Sequence, residues 1–183
     1  MPRDGNKKAN GHMTPAEFKT IRESLGLAAQ WIADHSDVKL KTIQYWESGR
    51  IAIPKEVEKM LVDIDRLLDK SVAKVLTQIE EVEKAQGEPP DEVMLLRYRT
   101  DADLWQFYPE MKPLPASTYA TLLSRVRRRL WSKGIPSIIE YMEPESYLAW
   151  LGDKPDTEAH RAAWAAEKQN NEFGDWEEEV DDE

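Results

Sequence analysis

The sequence predicts a mainly α-helical protein with a small β element, built as an N-terminal bundle of short helices followed by a C-terminal α+β region. Three observations support this fold class. Apolar side chains recur three and four residues apart through most of the chain, which is the period of amphipathic helices. Helix start and stop residues bracket these segments. Only two short runs, 93–99 and 137–142, have the composition and bounded length of strands.

The first predicted helix begins at a capping box. Thr14 and Glu17 are spaced so that each side chain can bond the other's backbone, and Pro15 occupies the first helical position. Gly26 is expected to end this helix. Its apolar face is formed by Phe18, Ile21 and Leu25.

Residues 1–13 are polar and lack apolar periodicity, so they are expected to form a disordered leader. Two interpretations are open for this segment. It is either a vector-derived leader before Met13, or a basic arm that touches phosphate through Arg3, Lys7 and Lys8.

Residues 27–50 predict two short helices that cross after a sharp turn. Asp37 falls at the turn, where a left-handed conformation is often needed and where Asp and Asn follow Gly in tolerance. The second helix is expected to run from Lys39 or Leu40 to Glu47, and Gly49 lies where a glycine commonly follows a helix end. The shared core of the pair is predicted to be Ile32, Ala33, Val38, Ile43 and Trp46, with Gly49 closing the motif.

The outer side chains of the second helix suit DNA. Lysine binds phosphate or guanine, glutamine can bond an adenine edge with both amide atoms, and tyrosine or leucine can contact thymine methyls. We expect Lys41, Gln44 and Tyr45 to contact bases, and Lys39 and Ser48 to contact phosphates. The simpler alternative is a solvated helical bundle with no ligand. The predicted DNA-binding residues are Gln30, Lys39, Leu40, Lys41, Thr42, Gln44, Tyr45, Ser48 and Arg50.

At this segment the sequence resembles the Xre-type (Cro/cI-like) helix-turn-helix family, whose motif has the form GVxxxTIxxWExG. The matching residues here are Val38, Thr42, Ile43, Trp46, Glu47 and Gly49. Asp37 replaces the usual turn glycine, and Ser36 stands where the family has an apolar residue. The resemblance implies that the second helix is a recognition helix.

A weaker resemblance extends from residue 14 to about residue 142. The order of elements and the segments WESGR and DADLWQFYPE are similar to YdiL-like regulators and to the anti-CRISPR-associated autorepressors of phages and mobile elements. That resemblance implies a C-terminal dimerisation region of helices with a small strand element. No family resemblance covers the chain from Pro144 onward.

Composition limits the class of protein. The 183 residues carry a net charge of −10, but eight acids lie in residues 171–183, so the rest is close to neutral. A strongly acidic chain is unsuited to coating nucleic acid without sequence preference. There is no cysteine and no long apolar run, so we expect a cytoplasmic protein without membrane contact. The expected domains are a leader (1–13), a helix-turn-helix domain (14–68), a dimerisation region (69–170) and an acidic disordered tail (171–183).

After Pro54 an apolar stripe runs close to a heptad spacing, which predicts a helix of about 30 residues. The helix is either continuous or broken near 69–71, where Ser71 is an acceptable N-cap. The stripe is either internal core or a surface covered by a partner subunit. Its members are Val57, Leu61, Ile64, Leu68, Val72, Val75, Ile79 and Val82.

The C-terminal half begins after a linker at 85–92. The two strands, 93–99 and 137–142, are expected to pair in an antiparallel sheet within or between subunits. Four arginines at 125 and 127–129 either bind phosphate or pair with acids of the chain, including the tail. Helices are expected at 101–107, 115–133, 144–151 and 157–169.

These observations predict a homodimeric, sequence-specific DNA-binding repressor acting on a palindromic operator and autoregulating its gene. An antitoxin or protein-binding adaptor, using the C-terminal region for a protein partner, is the alternative, and RNA binding also stays open. The acidic tail either lowers non-specific DNA affinity or is a solvated extension. His12, His35 and His160 are scattered and no phosphate-binding loop occurs, so we expect no enzyme activity, metal or cofactor.

Overall fold

The computed structural model describes residues 12–177, with side chains through residue 170. The chain divides into two units, residues 1–71 and 72–183. The structure is mainly helical with one two-stranded sheet, which confirms the predicted fold class at that level.

The first unit contains three short helices, α1 (Pro15–Ser24), α2 (Ala29–His35) and α3 (Leu40–Glu47), and the start of α4 (Lys55–Gln86). Both hydrogen bonds of the predicted capping box at α1 are present. The Thr14 N–H donates to the Glu17 carboxylate, and the Glu17 N–H donates to the Thr14 hydroxyl oxygen. The backbone and side-chain hydrogen bonds of Thr14 hold the pKa of the Glu17 carboxyl below its usual value. The start of α1 is therefore specified locally by the sequence.

Residues 12 and 13 are fixed to α4, although the sequence predicted disorder through residue 13. The Met13 backbone N–H donates to Glu58 Oε1 at 2.8 Å, and His12 Nδ1 lies 3.3 Å from the same oxygen. Glu58 is buried and water reaches it poorly, so these two groups provide hydrogen-bond partners for its carboxylate. Residues 1–11 of the predicted leader lie outside the described residues.

Helix α4 is continuous, with no break at residues 69–71. The first five members of its apolar stripe, Val57 to Val72, are buried. Val75 and Ile79 are half-buried, and Val82 is 43% exposed. The stripe is thus internal core over its first part and becomes accessible towards the end of the helix.

The second unit continues with β1 (Val93–Arg97), α5 (Asp101–Phe107), a 3-10 turn (Pro109–Met111) and α6 (Ala116–Ser132). It ends with β2 (Ser137–Tyr141), α7 (Pro144–Leu151) and α8 (Glu158–Glu177). Thr100 caps α5 as its side chain accepts from the Asp103 N–H. Helix α8 extends into the segment predicted to be a disordered tail, and residues 178–183 lie outside the described part of the chain.

The antiparallel pairing predicted for the two strands is wrong, because β1 and β2 are parallel, with Leu95 opposite Ile139. The reason lies in the connection. Helices α5 and α6 lie between the strands, and a long helical crossover returns the chain in the same direction, whereas antiparallel neighbours are commonly joined by a short hairpin.

The core of the second unit forms where β1 meets α6 and α8. The inner face of α6 is buried, and it consists of Tyr119, Leu122, Leu123, Val126 and Leu130. Leu95 and Leu96 of β1 and Trp164 of α8 are buried as well. In the part of the chain that the structure describes, every helix is too short or too polar to cross a bilayer.

Candidate nucleic-acid interface

Helix α3 exposes a polar and cationic surface on the first unit. Lys39, Lys41, Gln44, Ser48 and Arg50 are exposed, and Leu40 is 38% exposed. Thr42 and Tyr45 are half-buried at the edges of this surface. We call these eight residues the α3 surface. Of the predicted binding residues, only Gln30 lies elsewhere, on α2.

Two of the three positive charges of the α3 surface lie beside one aromatic ring. Lys41 Nζ and the Arg50 guanidinium carbon each lie 5.3 Å from the centre of the Tyr45 ring, within cation–π range. Within residues 12–170, neither these two cations nor Lys39 has a carboxylate at salt-bridge distance. Their charge is thus available to an anionic ligand.

The two predicted DNA-binding glutamines differ in whether their side-chain amides are already hydrogen-bonded within the protein. The Gln30 amide donates to Asp34 Oδ1 at 2.6 Å on the same helix. The Gln44 side chain is exposed and bonds none of the described residues. An amide without an internal partner can offer both a donor and an acceptor to a base edge. Gln44 is therefore better prepared for such contact than Gln30.

The turn between α2 and α3 has the geometry that the sequence indicated. Asp37 adopts φ of +51°, in the left-handed region. The turn is closed by the Val38 N–H, which donates to the Ala33 carbonyl at 3.0 Å, and by the Ser36 N–H, which donates to the Ile32 carbonyl at 2.9 Å. The direction of α3 is set by these bonds.

The inward face of the pair is buried against α1. Ile32, Ala33 and Ile43 are fully buried and Trp46 is 2% exposed, whereas Val38 is half-buried. The Trp46 ring meets the edge of the Phe18 ring at a centroid distance of 5.9 Å. Aromatic edge contacts of this kind add to the stability that burial provides.

A buried ion pair, which the sequence interpretation missed, joins α1 to the end of α3. Arg22 is 8% exposed, and its Nε and Nη2 donate to Glu47 Oε1 at 2.9 and 2.7 Å. Its Nη1 donates to the Leu27 carbonyl at 2.7 Å. The sequence does indicate that Arg22 is buried, because it lies four residues after Phe18 and three before Leu25, on the same apolar face of α1.

Gly49 ends α3 in the left-handed conformation, with φ of +73°. A Cβ at this position would lie 3.3 Å from Pro15 Cγ of α1, which is a tight contact. The chain leaves α3 through a position where both the backbone angle and the available space favour glycine.

A second basic cluster lies on α6. Arg127, Arg128 and Arg129 are exposed, and among the described residues none of the three has an ion-pair partner. Arg125 is half-buried and has an interaction of its own. Whether the three bind phosphate or the acidic tail stays a prediction, because the side chains of that tail, residues 171–183, lie outside the described part of the chain.

Over the part of the chain that is described, no three His, Asp or Glu side chains are close enough together to hold a metal ion. His35 is exposed, stacks on Trp31 at 3.8 Å and bonds the Trp31 carbonyl through Nδ1 at 2.8 Å. His12 and His160 lie in separate units.

Comparison with known proteins gives one related sequence and one family. The chain is 42% identical over 53 residues to the Aca2 repressor of Pectobacterium phage ZF40. This match covers 28% of the chain and 46% of the phage protein, so the chain spans about half the length of this relative. A family model matches residues 7–169. Because that match covers most of the sequence, the chain belongs to the family described as a domain of unknown function, DUF4447.

Proposed function

We propose that this protein is a sequence-specific DNA-binding transcriptional repressor of the Xre helix-turn-helix type. The observation that carries the proposal is the α3 surface, which exposes a glutamine amide without an internal hydrogen bond and three cations without carboxylate partners among the described residues. Phosphate contacts position a protein on DNA, whereas side chains at base edges select the sequence. The α3 surface contains groups suited to both tasks.

Helix α3 would enter the major groove, which is wide enough for a helix and distinguishes all four base pairs. Gln44 would bond an adenine edge, while Lys41 and Tyr45 would contact neighbouring bases. Lys39, at the start of the helix, and Ser48, at its end, would contact phosphates. The buried contacts among α1, α2 and α3 would hold the helix in one orientation, so that few side chains need to order on binding.

The phage relative supports the same class of function, since it is named a repressor. We further propose that the protein acts as a homodimer on a palindromic operator, and that it represses its own gene. A two-fold dimer presents two α3 helices to successive major grooves, which requires half-sites one helical turn apart, roughly 34 Å. The role proposed for the protein involves no catalysis.

Single substitutions test which side chains select the sequence. On a duplex that the protein selects from random sequence, Gln44→Ala should weaken binding by about 1–3 kcal/mol and relax the base preference at one position of each half-site. Gln86→Ala is the matched control, because it removes an exposed helical glutamine from the second unit. Equal affinity of wild type and Gln44→Ala for every operator variant would refute base contact by Gln44.

Lys39→Ala tests the phosphate role separately. It should weaken binding to all duplexes by a similar factor and reduce the slope of log affinity against log salt by about one. Fluorescence anisotropy at several salt concentrations measures both quantities. An unchanged salt slope would show that Lys39 contacts no phosphate.

A further inference from the structure

Trp131, near the end of α6, is the most exposed large apolar side chain among the described residues. It keeps 79% of its surface accessible. Within the described part of the chain, its ring has no aromatic or cationic neighbour and its indole N–H has no acceptor. Tryptophan is highly buried on average, because its ring is large and mostly apolar. An open indole ring of this kind is therefore suited to contact with a ligand.

Two arginines flank this ring. Arg127 and Arg128 lie four and three residues before Trp131, so both are its neighbours on the surface of the helix. Both are exposed, and neither has an ion-pair partner among the described residues. Ser124, which is also exposed, lies two turns before Trp131 on the same side. We call these four residues the α6 outer face.

The opposite side of α6 is fixed in the core of the second unit. Val126 is 1% exposed and Leu130 is fully buried. Just after the helix, the Lys133 ammonium donates to the Glu80 carboxylate of α4. Because these contacts hold α6, the outer face is presented in one orientation, and few side chains need to order when a ligand binds.

The charge of the α6 outer face indicates an anionic ligand. The chain contains 35 acidic and 25 basic residues, so acidic side chains are more abundant than basic ones. Even so, Arg127 and Arg128 have no carboxylate at salt-bridge distance within residues 12–170. Neighbouring positive charges without internal partners attract anions to the surface that carries them.

Three anionic ligands differ in what they offer to the Trp131 ring. In a duplex the base faces are covered by neighbouring bases. A helix that binds a membrane surface buries a broad apolar face in it, whereas the apolar face of α6 is already covered by the protein core. An unpaired nucleic-acid strand offers phosphates together with free base faces, which stack on aromatic side chains. The α6 outer face therefore matches an unpaired strand best.

We propose that the α6 outer face binds an unpaired nucleic-acid strand, with one base stacked on the Trp131 ring and phosphates beside Arg127 and Arg128. The Ser124 hydroxyl donates to the backbone of the same strand. Stacking and phosphate contact are available with every base, so this binding has little sequence preference. Unpaired DNA and RNA share this chemistry. The inference does not depend on recognition of duplex DNA by α3.

Fluorescence anisotropy with the full-length chain tests the role of Trp131. The probes are labelled oligothymidine and oligouridine of about 12 nucleotides, and a duplex of random sequence and the same length. At about 0.1 M salt, Trp131→Ala should weaken single-strand binding about 5- to 100-fold, because one base loses its stacking partner. Trp131→Phe should recover most of the affinity, and neither variant should change duplex binding. The difference between the two single-stranded probes shows whether DNA or RNA is preferred.

A matched pair of arginine variants tests the phosphate contacts. Arg128→Gln and Arg129→Gln remove the same charge from adjacent, exposed positions. Arg129 lies two residues before Trp131, and side chains at that spacing do not face each other on a helix. Arg128→Gln should weaken single-strand binding about fivefold and reduce the slope of log affinity against log salt by about 0.7. Arg129→Gln should change the affinity by less than about twofold, because salt screens more distant charges.

Four results would overturn the inference. Neither single-stranded probe binds, Trp131→Ala binds them as the wild type does, the two arginine variants lose equal affinity, or combined Lys39→Ala and Gln44→Ala abolishes single-strand binding. The last result would place the strand on the α3 surface. Sedimentation and flotation with phosphatidylglycerol vesicles are measured alongside. Self-association or vesicle binding that requires Trp131, without strand binding, would assign the α6 outer face to a second copy of the chain or to a membrane instead.

Discussion

Replacing Arg22 by Met tests how α3 is held in place. The substitution keeps an unbranched apolar stem but removes two hydrogen bonds to Glu47 Oε1, one to the Leu27 carbonyl and one to Glu23 Oε1. Removing one partner of a buried ion pair typically costs 3–5 kcal/mol, because the other charge stays buried. The Glu47 side chain keeps 17% exposure, so we expect the lower end, about 3 kcal/mol.

Amide hydrogen exchange measured peptide by peptide separates the two units of the chain. A loss of about 3 kcal/mol should speed exchange in α1, α2 and α3 about a hundredfold, since 1.4 kcal/mol corresponds to a factor of ten. Peptides of the second unit serve as the internal reference. Arg66→Met is the control variant, because Arg66 is exposed on α4. Acceleration below about threefold would refute the view that this ion pair holds α3.

Three further substitutions test local geometry. Asp37→Gly should stabilise the first unit by about 0.5 kcal/mol in the same exchange measurement, because glycine adopts the observed φ of +51° without strain; destabilisation would contradict this. Gly49→Ala should destabilise it by at least 1 kcal/mol, as a Cβ would add a left-handed penalty and crowd Pro15; a neutral effect would argue against both causes. Thr14→Ala should raise the pKa of Glu17 towards its ordinary value, seen by carboxyl NMR titration, because the hydroxyl hydrogen bond is lost; an unchanged pKa would contradict that cause.

Most of the structure of the first unit could be predicted from short segments of the sequence. The capping box at Thr14, the left-handed Asp37 and the glycine after α3 each act through neighbouring backbone, so a short segment contains the necessary information. The spacing of Ile43 and Trp46 likewise identified which face of α3 is buried.

The features that the sequence did not predict depend on distant contacts. The parallel pairing of β1 and β2 follows from the path of the chain through α5 and α6, which strand composition does not encode. The Arg22 ion pair was missed because its partner Glu47 lies 25 residues away, on another helix.

Selection of bound fragments from a random duplex library, at about 0.15 M salt, tests the central claim most directly. The proposed function predicts enrichment of a palindromic motif with half-sites one helical turn apart, and loss of preference at one base pair of each half-site for Gln44→Ala. Absence of any enriched motif, or a motif that substitutions on the α3 surface leave unchanged, would contradict the assignment of α3 as the helix that recognises DNA.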